Sequence, residues 1–166
     1  MSRIIDYNPA NNNGGFETGA LSGWTTYVVA TSTVAISSAQ AHSGTYSIAC
    51  YTDASNHPTE LISPSVLTPG VLYVAWFWAI QTTGTLGNIQ AGDLDNDIYI
   101  NFGALSQAQG APLDAFLTNS WALYGGTFTP IGTYFEIKRG NITNANWYID
   151  DIRVDKANVI QNVILF

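Results

Sequence analysis

The stretch Asn146-Trp147-Tyr148-Ile149-Asp150-Asp151-Ile152-Arg153-Val154 decides the fold class. It is rich in aromatic and β-branched residues, which favour a pleated strand. Side chains of an extended chain alternate between two faces. A strand over 146–155 therefore puts Trp147, Ile149, Asp151 and Arg153 on one face and Tyr148, Asp150, Ile152 and Val154 on the other. Asp150 then lies among apolar neighbours, where an ionised carboxylate is costly unless a cation or several hydrogen bonds compensate it. Two readings follow: Asp150 is a metal ligand, or Asp150 and Asp151 cap a turn and bond backbone amides.

Outward from this stretch, similar runs recur between turn signals such as Asn13-Gly14-Gly15, His42-Ser43-Gly44, Thr68-Pro69-Gly70 and Gly125-Gly126. Strands are expected over residues 24–30, 33–38, 45–51, 59–63, 71–80, 95–102, 121–129, 132–139 and 146–155. Short strands at this spacing are the pattern of a sandwich or barrel, and about nine strands fill two sheets. The fold class is all-β, an antiparallel two-sheet β-sandwich. Lys is scarce and Ser, Thr, Asn and Gly abound, which disfavours long polar helices.

A length of 166 residues fits one module, assigned to residues 13–155 with an N-terminal arm over 1–12 and an apolar C-terminal tail over 156–166. Five bases against twelve acids, a net charge of −7, are the opposite of a phosphate-tracking balance, so no nucleic-acid partner is expected. The longest apolar run, residues 71–80, is too short to span a bilayer as a helix, and no membrane insertion is expected. No secretory signal is visible at Met1–Asp6. Cys50 is the single cysteine, which excludes an internal disulfide.

If a cation compensates Asp150, calcium is the ion expected, because the chain offers oxygen ligands and almost no His or Cys. Glu17, in a Gly-rich loop anchored by Phe16, is a suitable second carboxylate. Residues 71–80 place Val71, Tyr73, Ala75, Phe77 and Ala79 on one face and Leu72, Val74, Trp76, Trp78 and Ile80 on the other. Either both faces are covered, or Trp76 and Trp78 form an aromatic platform on which a neutral sugar ring stacks.

Three ordered stretches, Asn13-Gly14-Gly15-Phe16-Glu17-Thr18-Gly19 with Gly23-Trp24, Ala41-His42-Ser43-Gly44-Thr45-Tyr46-Ser47, and Trp147-Tyr148-Ile149-Asp150-Asp151-Ile152, resemble the carbohydrate-binding modules of the xylan- and glucan-binding type. These are galactose-binding-like β-jelly rolls. The resemblance covers roughly residues 13–155. It implies a structural calcium held by Glu17, Asp150 and the carbonyls of Gly15 and Thr45. It also implies a non-catalytic domain that binds a neutral polysaccharide or cell-surface glycan on a concave aromatic face, for which Trp76, Trp78, Tyr99 and Asn101 are the candidates.

Asp93-Leu94-Asp95-Asn96-Asp97 begins like a calcium-binding helix–loop–helix motif, but Ile98 stands where its glycine is required and Ala104 where its glutamate is. No pair of acids is marked as catalytic, so no enzyme is expected. The alternative to a glycan-binding module is a bacteriophage decoration or tail protein that uses the same fold for assembly, contacting other virion proteins through both termini. Either reading puts the chain outside a cell or on a virion surface.

Overall fold

The computed structural model describes residues 13–96, 98–100, 102, 115–139 and 143–157. The N-terminal arm, Asn101, Asp97 and residues 158–166 lie outside the described residues. In chain order the strands are β1 (Thr25–Val28), β2 (Thr33–Ser37), β3 (Ser47–Thr52), β4 (Thr59–Ile62), β5 (Tyr73–Gln81), β6 (Asn88–Asp93), β7 (Ile98–Tyr99), β8 (Ala115–Phe116), β9 (Ala122–Phe128), β10 (Glu136–Arg139) and β11 (Ala145–Lys156). They form two antiparallel sheets. One runs β1-β4-β10-β6-β7, with β8 also paired to β6; the other runs β2-β3-β11-β5-β9.

Eleven strands stand among the described residues against about nine expected. Asn88–Asp93 was missed because Asn, Gly and Asp read as turn residues, although Ile89 and Ala91 point into the core. The expected strand over 95–102 shrinks to Ile98–Tyr99, because Leu94–Asn96 folds into a short 3₁₀ turn. Asp93 holds that turn. Its carboxylate accepts the Asn96 side-chain amide at 2.8 Å and the backbone amides of Ile131 and Gly132 at 2.8 and 2.6 Å.

The core fills the space between the sheets. Phe77, Tyr124, Trp147, Ile149 and Ile48 enter it from one sheet, and Leu61, Ile89 and Ile137 from the other. Burying each such side chain contributes about 1.5–3 kcal/mol. Polar atoms in this layer are paired: Trp147 Nε1 donates to Thr52 Oγ1 at 3.2 Å, and the Tyr124 hydroxyl donates to the Phe116 carbonyl at 3.0 Å.

β5 alternates as its sequence requires. Tyr73, Ala75, Phe77 and Ala79 are buried, while Val74, Trp76 and Trp78 are half-buried on the outer face. β11 does not keep one alternation. Its pairing with β5 jumps from Asp150↔Trp78 to Arg153↔Trp76, a β-bulge at which Asp151 takes a positive φ of 49°. The Ile152 amide leaves the ladder and donates to the Gly14 carbonyl at 2.9 Å. The parity therefore changes: Trp147, Ile149, Ile152 and Val154 face the core, whereas Asp150 and Arg153 pair with the outward Trp78 and Trp76. Uniform alternation put Asp150 beside Ile152 and Val154, and the inserted residue overturns that assignment.

Candidate functional site

Asp150 is nevertheless fully buried, because the turn before β3 folds over it. One carboxylate oxygen accepts the backbone amides of His42 and Ser43 at 2.9 and 3.2 Å, and the other accepts the Asp151 amide at 2.7 Å. Burial pushes its carboxyl up to about 6 in spite of these bonds, and Asp151 adds to the rise. Glu17 grips the other end of the same turn, accepting the Thr45 amide at 2.9 Å and the Tyr46 amide at 2.9 Å. Gly44 sits between these anchors with φ 62°, and a Cβ there would come within 2.4 Å of the Glu17 carboxyl.

Amides thus bind the two carboxylates expected to face a cation, which is the hydrogen-bonded alternative for Asp150. The donor chemistry also suits calcium. Each carboxylate keeps one oxygen engaged by a single amide, leaving a second lone pair there. Gly15 lies in the same loop, where a Cβ would be 3.4 Å from Asp151 Oδ1, and Thr45 lies in the Glu17-bound turn. No group of three or more acidic, His or Cys side chains poised around a common point occurs among the described residues.

Trp78 lies beside this junction and is covered. His42 stacks on it with ring centroids 3.8 Å apart and an interplanar angle of 11°, and Trp121 meets His42 edge-on at 5.7 Å. The imidazole is held by Asp151, at 2.7 Å from Nδ1. One face of the Trp78 ring is therefore already occupied by a protein side chain.

Tyr99 lies elsewhere. It pairs with Gly92 in the six-stranded sheet, so Trp76 and Trp78 belong to one outer face of the sandwich and Tyr99 to the sheet on the opposite side. The expected cluster of Trp76, Trp78, Tyr99 and Asn101 is not one site. Asn101 lies outside the described residues.

Two rows of register partners cross the Tyr99 sheet. Tyr27, Glu60, Lys138 and Gln90 form one, and Thr25, Ile62, Glu136, Gly92 and Tyr99 the other. Tyr27 at one edge and Phe116 at the other are about half exposed, at 50% and 45%. Between them Glu60, Lys138, Gln90 and Asn88 are half-buried side chains that can donate or accept hydrogen bonds. Four strand spacings separate β1 from β7, about 19 Å. Glu136 is 2% exposed, and its Oε1 has no hydrogen-bond partner among the described residues. Burial, with repulsion from Asp95 and Glu60, pushes its carboxyl up to about 7.

The sequence matches a family model described as a carbohydrate binding domain over residues 8–138. The chain belongs to that family. Among solved structures, this carbohydrate-binding domain is similar to the CBM22-1 xylan-binding domain of Paenibacillus barcinonensis Xyn10C, with a TM-score of 0.61 and 16% identity over 86% of this chain and 91% of that one. It is also similar to TmCBM61, solved in complex with β-1,4-galactotriose, with a TM-score of 0.58 and 19% identity over 87% and 95% of the two chains. A third similarity is to the enzymatically active domain of bacteriophage CBA120 tailspike protein 4, with a TM-score of 0.55 and 17% identity over 90% of this chain and 22% of that one. No curated protein sequence matches the domain. At these identities the structural likeness shows a shared fold. The β-jelly roll expected from the three ordered stretches is the fold of this family.

Sequence reasoning missed Tyr27, Glu60, Gln90 and Lys138, which lie in separate, unremarkable strands. Only sheet order aligns them. It also missed His42 as the cover on Trp78, since nothing in the Ala-His-Ser-Gly turn says which way the ring points.

Proposed function

We propose that this carbohydrate-binding domain binds a glycan chain without catalysis, across the outer face of the six-stranded sheet. The observation that carries the reading is the row Tyr27-Glu60-Lys138-Gln90, flanked at the far edge by Tyr99 and Phe116 on the strands that pair with β6. Aromatic rings at the two edges offer stacking surfaces for the apolar faces of sugar rings, and the charged and amide groups between them suit hydroxyls. The similarity to a xylan-binding domain and to a domain solved with galactotriose supports polysaccharide as the ligand class. An uncharged oligosaccharide panel titrated calorimetrically against the domain tests this. Tyr27→Ala and Gln90→Ala should each weaken binding at least tenfold with thermal stability retained, and full affinity in both variants would move the site elsewhere.

Calcium bracing through Glu17 and Asp150, with carbonyls from Gly15 and Thr45, belongs to the same proposal; the ion would tie the N-terminal loop, the turn at 42–46 and β11 together. It is supported by the oxygen-only donor set at that junction. Millimolar calcium should raise the unfolding temperature of the wild-type domain and leave Glu17→Ala unchanged. An equal rise in both places the ion elsewhere.

A second reading, a bacteriophage particle component located on the virion surface, is favoured by the tailspike likeness. In that setting the same glycan face would serve host attachment, and the ends of the chain would contact other virion proteins. A strictly monomeric domain by light scattering across the micromolar range counts against assembly through its own termini.

A further inference from the structure

We infer that Trp76 and Arg153, on the five-stranded sheet, form a second glycan site selective for sugars that carry a carboxylate. The two residues are direct register partners on β5 and β11, both directed away from the core. The bulge at Asp150–Asp151 creates this pairing, because without the inserted residue Arg153 would fall on the core-facing parity. Arg153 is exposed, and its side chain makes no hydrogen bond or ion pair among the described residues. Trp76 is half-buried and, unlike Trp78, has no ring stacked on it among the described residues.

On the other flank of Trp76 there is no room for a side chain. Its partner on β9 is Gly125, where a Cβ would come within 2.8 Å of the Trp76 Cβ and 2.7 Å of the Ala75 carbonyl. At this level of the sheet the sequence of groups is therefore a planar guanidinium, an indole and a buried glycine that adds no side chain beside the ring. A pyranose uronate matches that order. Its ring lies against the indole, and its carboxylate meets the guanidinium fork, which binds carboxylates through two parallel N–H donors.

The carboxylates nearby do not neutralise Arg153 in place of a ligand. Asp150 is buried and bonded to amides, Asp151 is turned to His42 and Ser43, and Asp155 is engaged in an interaction of its own. The net charge of −7 repels acidic polymers overall, so selectivity for them has to be local.

The probes are trigalacturonate, its fully methyl-esterified counterpart and a hyaluronan hexasaccharide, titrated into the full chain at pH 7 and low salt. The acidic trisaccharide, the hexasaccharide or both should bind at least tenfold tighter than the ester. Arg153→Gln should bring the ratio to within twofold, Trp76→Ala should abolish binding of the acid, and Tyr27→Ala should leave the ratio unchanged. Arg153 is exposed, so a folded Arg153→Gln variant is expected and is checked by thermal unfolding. Equal binding of acid and ester, a preference that survives Arg153→Gln, loss of the preference in Lys138→Gln instead, or no binding of either acid overturns the assignment. The outcome is separable from glycan binding on the six-stranded face, which is read with uncharged sugars and with Tyr27→Ala.

Discussion

Substituting Gly44 tests how the turn at 42–46 is held. At φ 62° an Ala carries backbone strain of about 1–2 kcal/mol. Its Cβ would also sit 2.4–2.6 Å from the three carboxyl atoms of Glu17. Those atoms end a flexible side chain, so Glu17 swings away and gives up the amides of Thr45 and Tyr46. Hydrogen bonds to a charged group contribute about 1.5–3 kcal/mol when sheltered. Glu17 and Thr45 are exposed, so about 1 kcal/mol per amide is the appropriate size. Gly44→Ala should therefore cost about 3 kcal/mol, or roughly 6–12 °C in Tm for a chain of this length. A double-mutant cycle separates the parts. In a Glu17→Ala background the same substitution should cost only the strain, leaving a coupling of about 2 kcal/mol in urea unfolding. If the two costs simply add, Glu17 is not what Gly44 makes room for, and the account of the turn fails.

Three further outcomes are expected. Asp150 and Glu136 have carboxyls raised to about 6 and about 7, so the native state holds protons that the unfolded chain releases at lower pH. Their contribution is complete below about pH 4 and is lost as pH rises through 6 and 7. In calcium-free buffer, urea midpoints should fall from pH 5 to pH 8 by the equivalent of roughly 2–4 kcal/mol; a flat or rising profile there contradicts the burial of these groups. Cys50 is 2% exposed and burial raises its thiol far above the usual range, so a thiol-modifying reagent should leave it untouched in native protein and label it in urea. Gly92→Ala would drive a Cβ to 2.1 Å from the Ile98 carbonyl, against backbone that cannot swing aside. That variant should lose the pairing of β6 with β7, seen as fast amide exchange at Ile98 and Tyr99 and weakened uncharged-glycan binding.

The fold class was legible because its carriers are local. The turn at Thr68-Pro69-Gly70 and the strict alternation of Tyr73 to Ala79 survive folding unchanged, whereas Gly125-Gly126, expected as a turn signal, lies inside β9, where the ladder with β5 holds both glycines extended. What escaped depends on long-range pairing. The bulge in β11 is invisible in Asp150-Asp151 itself, because it arises where the Gly14 carbonyl captures the Ile152 amide from more than a hundred residues away. The same is true of the row Tyr27-Glu60-Lys138-Gln90, whose members come from four strands. The family resemblance puts Tyr99 with Trp76 on one concave face, and only sheet order places them on opposite sides of the core.

A strand of uniform alternation can slide two residues along its neighbours and still present the same faces, so its mispaired arrangements are nearly as good as the native one. β11 has no such near-copy. Because its parity changes at Asp151, a two-residue slide would leave the left-handed residue opposite regular ladder and turn an acidic or basic side chain inward beside Phe77 and Trp147. The central strand of the sandwich thus acts as a vernier with a single coincidence. It closes only in one alignment, and with it the junction at Asp150 and the Trp76–Arg153 pair are brought into place together.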